Sequence, residues 1–577
     1  RAEKEAEEAL ALGRELPPEE RFVVEALAAE LRRDWQRATE IYGKLWAAFP
    51  DNLEYGLKLG RAQLEGGRSD LALATFASLR ELPEPDRDNP QIDLAEAAAA
   101  LAASDFHRQQ EAAVRAALKA REMEAPLLVA EARVREAEAL RRLGKPAEAE
   151  AAAAEARSLY AAAGDRVGEA SALAVAAGAL FDRGELVLAR AANQEALRSY
   201  REAGDRDGVA RTLNGLAVLA RNLGELATAR ELYSEALAVL AEIDDRRGTA
   251  YARNNLAAVR AEEGRFSAAR NEVDAALAVM RELGDKSGTA DALLNLGAIE
   301  RQLGNLDRAS VHLEEALRLK RELGLKSGEA AVLMALGGVA LDRGVLVEAA
   351  RHFEEAARLA AETNSRAVAA NVLAAQGELA IEAGETEVAR QRLAAALAIR
   401  TELGRRGKIE ESRAARVRLA LESGEPRAAL EEVESLLAET PPHRAPEFST
   451  QLALAQGRAL AGLGRASEAR VAVERAQAAA AASESPQLAL QTAAVAIQLA
   501  LAGAAPPIPE ESALDSLIAD ARGRGLEVAA LELEILRARR GLRRDPRAAR
   551  SNLADLAADC ERRGLLRLAR QARAAED

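Results

Sequence analysis

The chain of 577 residues has few aromatic side chains and a single cysteine. Only two Trp, six Tyr and eight Phe are present. Because sandwiches, barrels and large α/β enzymes build their cores from β-branched and aromatic residues, this composition excludes the first two classes and disfavours the third. The lone Cys560 excludes a disulfide framework and a multi-cysteine zinc site. Alanine occurs in every segment, and we expect an all-α protein.

Excess positive charge and long apolar runs are also missing. The net charge is −14, from 79 Lys and Arg against 93 Asp and Glu, so we expect no nucleic-acid partner. The longest apolar stretch, Leu488 to Ala505, is interrupted by polar residues and predicts a buried helix rather than a membrane span. The charged stretch Arg1 to Leu16 has no signal-peptide core and suggests a fragment of a longer protein. We expect no membrane insertion by this fragment and a cytoplasmic location, or an extracytoplasmic one if a membrane helix precedes residue 1.

What the sequence does contain is an internal repeat of 40 residues. Glycine recurs at this spacing nine times, at Gly144, Gly184, Gly224, Gly264, Gly304, Gly344, Gly384, Gly424 and Gly464. Alanine follows each of these glycines by five residues, and another alanine follows seven residues later in every repeat except at Leu436. A strict period of this length is typical of a solenoid.

Each repeat predicts an antiparallel pair of helices. In the repeat Ala290 to Gly324, apolar residues at helical spacing predict a first helix that ends at Gly304 and a second helix from about Leu306. Small residues, Gly297 with Ala309 and Ala316, let the two helices approach closely. Residues that tolerate a left-handed C-cap end the second helices, at Gly164, Gly204, Asp244, Gly284, Gly324, Asn364 and Gly404.

The spacing Asn295-Leu296-Gly297, Gly304, Ala309, Ala316 resembles the tetratricopeptide repeat in its 40-residue, long-helix form. Near the start, Ala38 and Ala72 are 34 residues apart, as in the ordinary form, and residues 105–121 resemble a degenerate third repeat. This resemblance implies a right-handed superhelical solenoid of about twelve helix pairs over residues 20–483.

Three regions follow from these patterns. Residues 1–124 hold the 34-residue type of repeat, and residues 125–483 hold nine repeats of 40 residues. Residues 484–577 depart from the pattern and predict a helical C-terminal cap, since terminal repeats of a solenoid have one face without a neighbour. The helical patterns of the cap are Ser512 to Arg522, Leu526 to Arg540, Pro546 to Arg562 and Leu565 to Ala575, after a loop at Gly503 to Glu511.

No motif predicts catalysis, a metal or a cofactor. The histidines His107, His312, His352 and His443 lack metal-ligand spacing and are interpreted as surface or groove-edge residues. The sequence has no phosphate-binding glycine loop and no nucleophile elbow, and the paired glutamates Glu314-Glu315 and Glu354-Glu355 are interpreted as solvated helix faces. Cys560 is interpreted as a half-buried packing residue. We therefore expect a non-enzymatic fragment.

A basic stretch near the C-terminus allows two interpretations. Seven arginines fall within fourteen residues, at Arg537, Arg539, Arg540, Arg543, Arg544, Arg547 and Arg550. They could bind phosphate or an acidic partner. Alternatively they form the solvated end of a helix, because no aromatic residue is interleaved for stacking and acidic residues surround the stretch.

The resemblance also implies a ligand groove lined by the first helices. The family's contact places lie 13, 10, 9, 6, 3 and 2 residues before the turn glycine. They fall here on Arg211, Asn214, Arg221, Asn222, Tyr251, Asn254, Asn255, Glu262, Asp291, Asn295, Arg301, Gln302, Met334, Gly338, Leu341, Asn371 and Ile381. Amides beside an apolar shelf would suit a protein or peptide ligand. Alternatively, Asn255 and Asn295 only cap or bridge neighbouring helices.

Two functions remain open. The opening repeats, the Gly-Asp turns and the closing stretch Gly564 to Ala572 resemble the C-terminal repeat region of bacterial eukaryotic-like serine/threonine protein kinases. This implies a protein- or peptide-binding scaffold or sensor region of a larger signalling protein. The repeats also resemble sensor arms of bacterial transcription activators and signal-responsive ATPases, in which a small molecule or short peptide occupies the groove.

Overall fold

The computed structural model describes residues 10, 16–32, 34–363, 365–439, 445–504 and 510–574. Within these ranges the regular structure consists of α-helices and two 3-10 turns, Leu79–Glu81 and Asp86–Asp88, with no strand. The all-α helical solenoid predicted from the composition and the repeats is confirmed. None of the helices in these ranges is long and apolar enough to cross a bilayer.

The helices alternate as first and second members of packed pairs. The first helices are Pro18–Leu31, Leu53–Glu65, Pro90–Ala102, Pro126–Arg142, Arg166–Asp182, Arg206–Asn222, Arg246–Glu262, Lys286–Gln302, Lys326–Asp342, Arg366–Glu382, Arg406–Glu422, Pro446–Gly462, Pro486–Leu501, Glu527–Gly541 and Leu566–Arg573. The second helices are Trp35–Ala48, Ser69–Ser78, Phe106–Glu122, Pro146–Ala163, Leu186–Ala203, Leu226–Glu242, Phe266–Glu282, Leu306–Glu322, Leu346–Glu362, Thr386–Glu402, Pro426–Glu439, Ala466–Ala480, Glu511–Gly523 and Pro546–Arg562.

The repeat continues into the segment that the sequence analysis treats as a cap. First helices begin every 40 residues from Pro126 to Pro486, and the next two begin at Glu527 and Leu566, within one residue of the same spacing. The helices described between residues 484 and 574 are thus paired at nearly the same spacing as the earlier ones, and their role as a cap stays a prediction. The sequence signal weakens there because the 40-residue glycine series ends at Gly464: the next two places hold Ala504 and Arg544. The turns between pairs keep glycine, at Gly525 and Gly564, both with positive φ.

The chain divides into two compact bodies. The first body comprises Arg1–Leu216, Glu235–Gly248 and Ala278–Gly288, and the second comprises Ala217–Ser234, Thr249–Leu277 and Thr289–Asp577. Both consist of stacked helix pairs.

Turns between pairs combine a left-handed residue with a capping aspartate. Gly164 has φ 73° at the end of one second helix, and Asp165 then accepts a hydrogen bond of 2.9 Å from the backbone N–H of Gly168. The same arrangement recurs at Asp285, where the bond is 2.8 Å. Asp244 adopts φ 51°, as predicted for a C-cap, whereas Asn364 lies outside the described residues. The Gly-Asp pair thus ends one helix and begins the next.

Small residues set the spacing within a pair. Ala309 and Ala316 are fully buried. A Cβ atom added at Gly297 would lie 2.5 Å from Cγ of Leu313, so only glycine fits where the two helices cross. This confirms the predicted close approach, since a larger residue would push the helices apart.

A second contact links successive pairs. Four places before the left-handed residue that ends each second helix, a side chain packs on the start of the following first helix. In the first body this residue is Tyr160, Tyr200, Leu240 or Met280. The rings of Tyr160 and Tyr200 lie against Gly168 and Gly208, where any Cβ atom would overlap them. We call this place, at residues 160, 200, 240, 280, 320, 360 and 400, the seam position.

Candidate functional site

The predicted groove residues all lie on first helices, but they belong to both bodies. Arg211 and Asn214 are in the first body, where Arg211 is exposed and its Nη2 lies 2.9 Å from Oδ2 of Asp207. The second body holds the other fifteen: Arg221, Asn222, Tyr251, Asn254, Asn255, Glu262, Asp291, Asn295, Arg301, Gln302, Met334, Gly338, Leu341, Asn371 and Ile381.

Both predicted groove arginines of the second body bind an acid of the next pair. Nε of Arg221 lies 2.7 Å from Oε1 of Glu262, and Nε of Arg301 lies 2.6 Å from Oδ2 of Asp342. The Arg301 side chain passes over Gly338, where an added Cβ atom would lie 3.0 Å from Nη1 of Arg301. Burial alone would lower the pKa of the Arg301 guanidinium, but Asp342 raises it overall. These arginines clamp neighbouring pairs together.

The same clamp occurs in the first body, where Nε of Arg141 lies 3.0 Å from Oδ2 of Asp182. In each clamp the acid follows the arginine by 41 residues. Arg221, Glu262 and Arg301 were predicted to contact a ligand, and their pairing with residues of the chain was not predicted. The regular 41-residue spacing of arginine and acid was the signal that could have found it.

Several predicted groove amides also form bonds within the chain. Nδ2 of Asn295 donates to Oδ1 of Asn254 over 3.1 Å, and Asn254 is buried. This favours the bridging interpretation for Asn295. Nδ2 of Asn222 donates to the carbonyl of Val218 on its own helix, at 2.9 Å. The carbonyl of Gln302 accepts a bond of 3.2 Å from Oγ of Ser485.

Helices of residues 484–574 cover the turn edge of earlier pairs in the second body. The N–H of Glu484 donates to the carbonyl of Gly264 over 3.0 Å, and its carboxylate accepts from the N–H of Ser267 over 2.6 Å. Further contacts join Arg524 to the Leu303 carbonyl, Gln487 to Asp342, Arg567 to Glu382 and Gln571 to Glu422.

The predicted apolar shelf is largely used within the chain. Leu341 packs against the cluster around Leu531, Ile535 and Leu565 of the later helices, and Ile381 is buried. Met334 packs at the edge of another cluster and stays half-buried.

Half-buried polar side chains remain along the middle of the first helices. Tyr251, Asn255, Asp291 and Asn295 all keep part of their surface accessible. Oδ1 of Asp291 lies 2.6 Å from Nζ of Lys320, yet the Asp291 side chain stays 46% exposed. We call these four residues the polar row.

The other candidates from the sequence lie apart. His107 is exposed and His312 half-buried, but His352 is buried, which corrects its interpretation as a surface residue. His443 lies outside the described residues. Within those residues no group of three His, Cys, Asp or Glu is arranged to hold a metal ion. Cys560 is fully buried rather than half-buried, and burial raises the pKa of its thiol to about 11, so the thiolate nucleophile is suppressed.

The arginine stretch lies mostly on the surface. Nη1 of Arg537 lies 2.8 Å from Oδ1 of Asp515, and Nη1 of Arg544 lies 2.6 Å from Oε2 of Glu511. Nη2 of Arg543 donates to the carbonyl of Leu501 over 3.2 Å. These contacts favour the solvated-end interpretation of the stretch.

Stacked helix pairs with a fixed 40-residue register define a helical-repeat protein. The family model of the tetratricopeptide repeat matches residues 208–282 and 248–322. This central part of the chain therefore carries tetratricopeptide repeats (TPRs). No curated protein matches the chain.

Solved structures that match this chain include the following three, each with the extent of its match. A Rap protein complexed with competence and sporulation factor is 15% identical, with a TM-score of 0.46, and the match covers 61% of this chain and 98% of that one. Aspartyl phosphate phosphatase F from Bacillus subtilis is 12% identical, with a TM-score of 0.41 and coverages of 62% and 93%. The APC/C hetero-tetramer Cut9-Hcn1 is 15% identical, with a TM-score of 0.32 and coverages of 78% and 99%. Similarity at this level gives no information on function.

Proposed function

We propose that this chain is a non-enzymatic, protein- or peptide-binding TPR region of a larger bacterial signalling protein, appended to a serine/threonine kinase. The observation that supports binding is the polar row, because its four polar side chains are half-buried on first helices and keep part of their surface accessible. Side-chain amides and a phenol can bond the main chain of an extended peptide. Half-buried Met334 offers an apolar neighbour for one of its side chains.

The turn edge is a poorer place for a ligand than the middle of the helices. Gln302, Asp342, Glu382 and Glu422 already accept bonds from later helices of the same chain. A ligand at these places would have to replace those bonds. We therefore place the peptide along the middle of the first helices.

Peptide selection on the full chain tests this proposal. A library of random peptides is selected on the wild type, and dissociation constants are then measured for the wild type, a Tyr251→Ala/Asn255→Ala variant and a control. The control, Val311→Ala/Val347→Ala, changes two side chains that are 63% and 84% exposed on second helices. We expect binding to weaken at least tenfold in the first variant, about 1.4 kcal/mol, and to stay unchanged in the control. If the two variants bound the peptides with equal dissociation constants and kept the wild-type helicity, the polar row would not be the binding site.

The link to a kinase has a separate test. The DNA that encodes the residues before Arg1 is read, and a protein-kinase domain is expected there. A DNA-binding or ATPase domain instead would favour the sensor-arm interpretation.

A further inference from the structure

A buried arginine in the second body has no hydrogen-bonded carboxylate partner among the described residues. Arg400, at a seam position, is 5% exposed. Its Nη1 donates to the carbonyl of Lys408 over 3.1 Å and to Oγ of Ser412 over 2.7 Å, and its Nη2 donates to Oδ1 of Asn371 over 2.9 Å. Its buried Nε has no partner in the part of the chain that the structure describes. All three acceptors are neutral.

The chain contains the same arrangement with its anion present. Lys320 occupies the seam position 80 residues earlier and is 3% exposed. Its Nζ lies 2.6 Å from Oδ1 of Asp291, which corresponds to Asn371 in the repeat. Both partners lie 29 residues before their cation. At the Arg400 seam, an asparagine thus stands where the Lys320 seam has an aspartate.

The surrounding charges do not replace the missing carboxylate. Glu411 is the acidic group that acts on Arg400 electrostatically, but both its oxygens lie within 2.9 Å of Nζ of Lys408. Arg405 opposes it. Burial accordingly lowers the pKa of the Arg400 guanidinium. A buried charge without a counter-ion is costly, and an added anion would recover that cost.

We propose that Arg400 and Asn371 form a binding site for a carboxylate group. Asn371 is half-buried on a first helix, at one of the places that the resemblance assigns to ligand contact, so part of its side chain stays accessible. A carboxylate there would accept bonds from the Arg400 guanidinium and from Nδ2 of Asn371. The existence of this carboxylate site does not depend on the proposed peptide-binding function. The idea that the carboxylate belongs to a bound peptide does rest on that proposed function.

The full chain tests the site with acetate. The probe is the methyl line width of carbon-13-labelled acetate at constant ionic strength, measured with four proteins. We expect the wild type to broaden the line and Arg400→Met to abolish the broadening. Replacing a buried charge by an apolar residue of similar length is tolerated by many folds. Asn371→Asp should also abolish the broadening, because it supplies the anion internally. Asp291→Asn should increase it, because it opens the same site at Lys320.

Equal broadening by the wild type and Arg400→Met would overturn the proposal. So would broadening by Asn371→Asp as strong as that of the wild type.

Selected peptides then distinguish the two sources of the carboxylate. If a peptide carboxylate occupies the site, converting all carboxylates of a bound peptide to amides should weaken binding tenfold or more to the wild type but not to Arg400→Met. Acetate binding without any peptide binding would uphold the site as one for free carboxylates and reject the proposed function. Peptide binding that depends on Tyr251 but not on any carboxylate, without broadening of the acetate line, would support the proposed function and reject the carboxylate site.

Discussion

The seam position differs between the two bodies in polarity rather than in place. In the first body it holds Tyr160, Tyr200, Leu240 and Met280, all uncharged, and the two tyrosine rings lie on glycine. In the second body it holds Ala360 and two buried cations, Lys320 and Arg400. An aromatic ring is stabilised by burial alone, whereas a cation needs an anion from the first helix of its own pair. The repeat therefore specifies where a long side chain lies, and neighbouring residues decide which chemistry that place tolerates.

The largest effect is expected at the aromatic seam. Tyr200→Ala should lower the free energy of unfolding by about 3–5 kcal/mol, because it leaves a cavity over Gly208. Gly208→Val should cost about 1–3 kcal/mol by overpacking the ring. At the places that correspond to Tyr200 and Gly208, the chain itself has a small residue, Ala360, opposite a larger one, Val368.

The double variant Tyr200→Ala/Gly208→Val tests the seam as a unit. We expect it to be more stable in urea unfolding than the sum of the single changes by at least about 1 kcal/mol. Additive losses would show that ring and glycine do not pack as one contact.

The next effect is expected at the charged seam. Asp291→Ala removes the counter-ion of buried Lys320 and should cost about 1–3 kcal/mol, discounted from a fully buried pair because Asp291 is half-exposed. Lys320→Met/Asp291→Ala should return close to the wild-type unfolding free energy. A double variant as unstable as the single one would mean that Asp291 acts through something other than this cation.

Alkaline pH should separate the two kinds of seam. Burial raises the pKa of Tyr160 to about 12, above its unfolded value near 10. A phenol that is neutral in the fold contributes full stability below pH 10 and loses it as the pH rises towards 12. The wild type should lose about 1–2 kcal/mol more than Tyr160→Phe over this range, by urea unfolding at each pH. Parallel pH profiles would contradict the burial of this hydroxyl.

The smallest effect is expected in the arginine stretch, where cations are solvated instead of buried. Replacing Arg543 and Arg544 by Gln should change the unfolding free energy by less than about 0.5 kcal/mol each, because exposed ion pairs contribute little. We also expect no binding to a random DNA duplex at physiological salt. A micromolar, salt-sensitive complex that is lost on replacing Arg539, Arg540, Arg543 and Arg544 by Gln would place these residues in a phosphate site.

Much of the fold could be predicted because its signals are local. Glycine at Gly304 and alanine at Ala309 report a turn and a helix crossing within a few residues of each other. The segment after residue 484 was interpreted as a cap because the 40-residue glycine series ends at Gly464. Its last four helices were predicted to within two residues at each end, and Pro546–Arg562 with its exact bounds.

The candidate site was less predictable because its polar residues have alternative partners. Arg301 looks the same in sequence whether it contacts a ligand or Asp342 in the next pair. The bond between Ser267 and Glu484 joins residues 217 positions apart. Such a contact depends on small rotations that accumulate over several pairs, and no short stretch of sequence encodes their sum.

The contact between Gly264 and Glu484 also constrains how many repeats lie between these two residues. In a simple linear stack, a repeat can be gained or lost without disturbing any distant residue. Deleting one 40-residue repeat between these two residues would carry Glu484 to the turn of a different repeat, and the matched bonds at Asp342, Glu382 and Glu422 would all lose their partners together. The number of repeats in this segment is therefore constrained by its geometry, and recombination between repeats should yield proteins whose helix pairs still stack locally but lose the contacts along this edge.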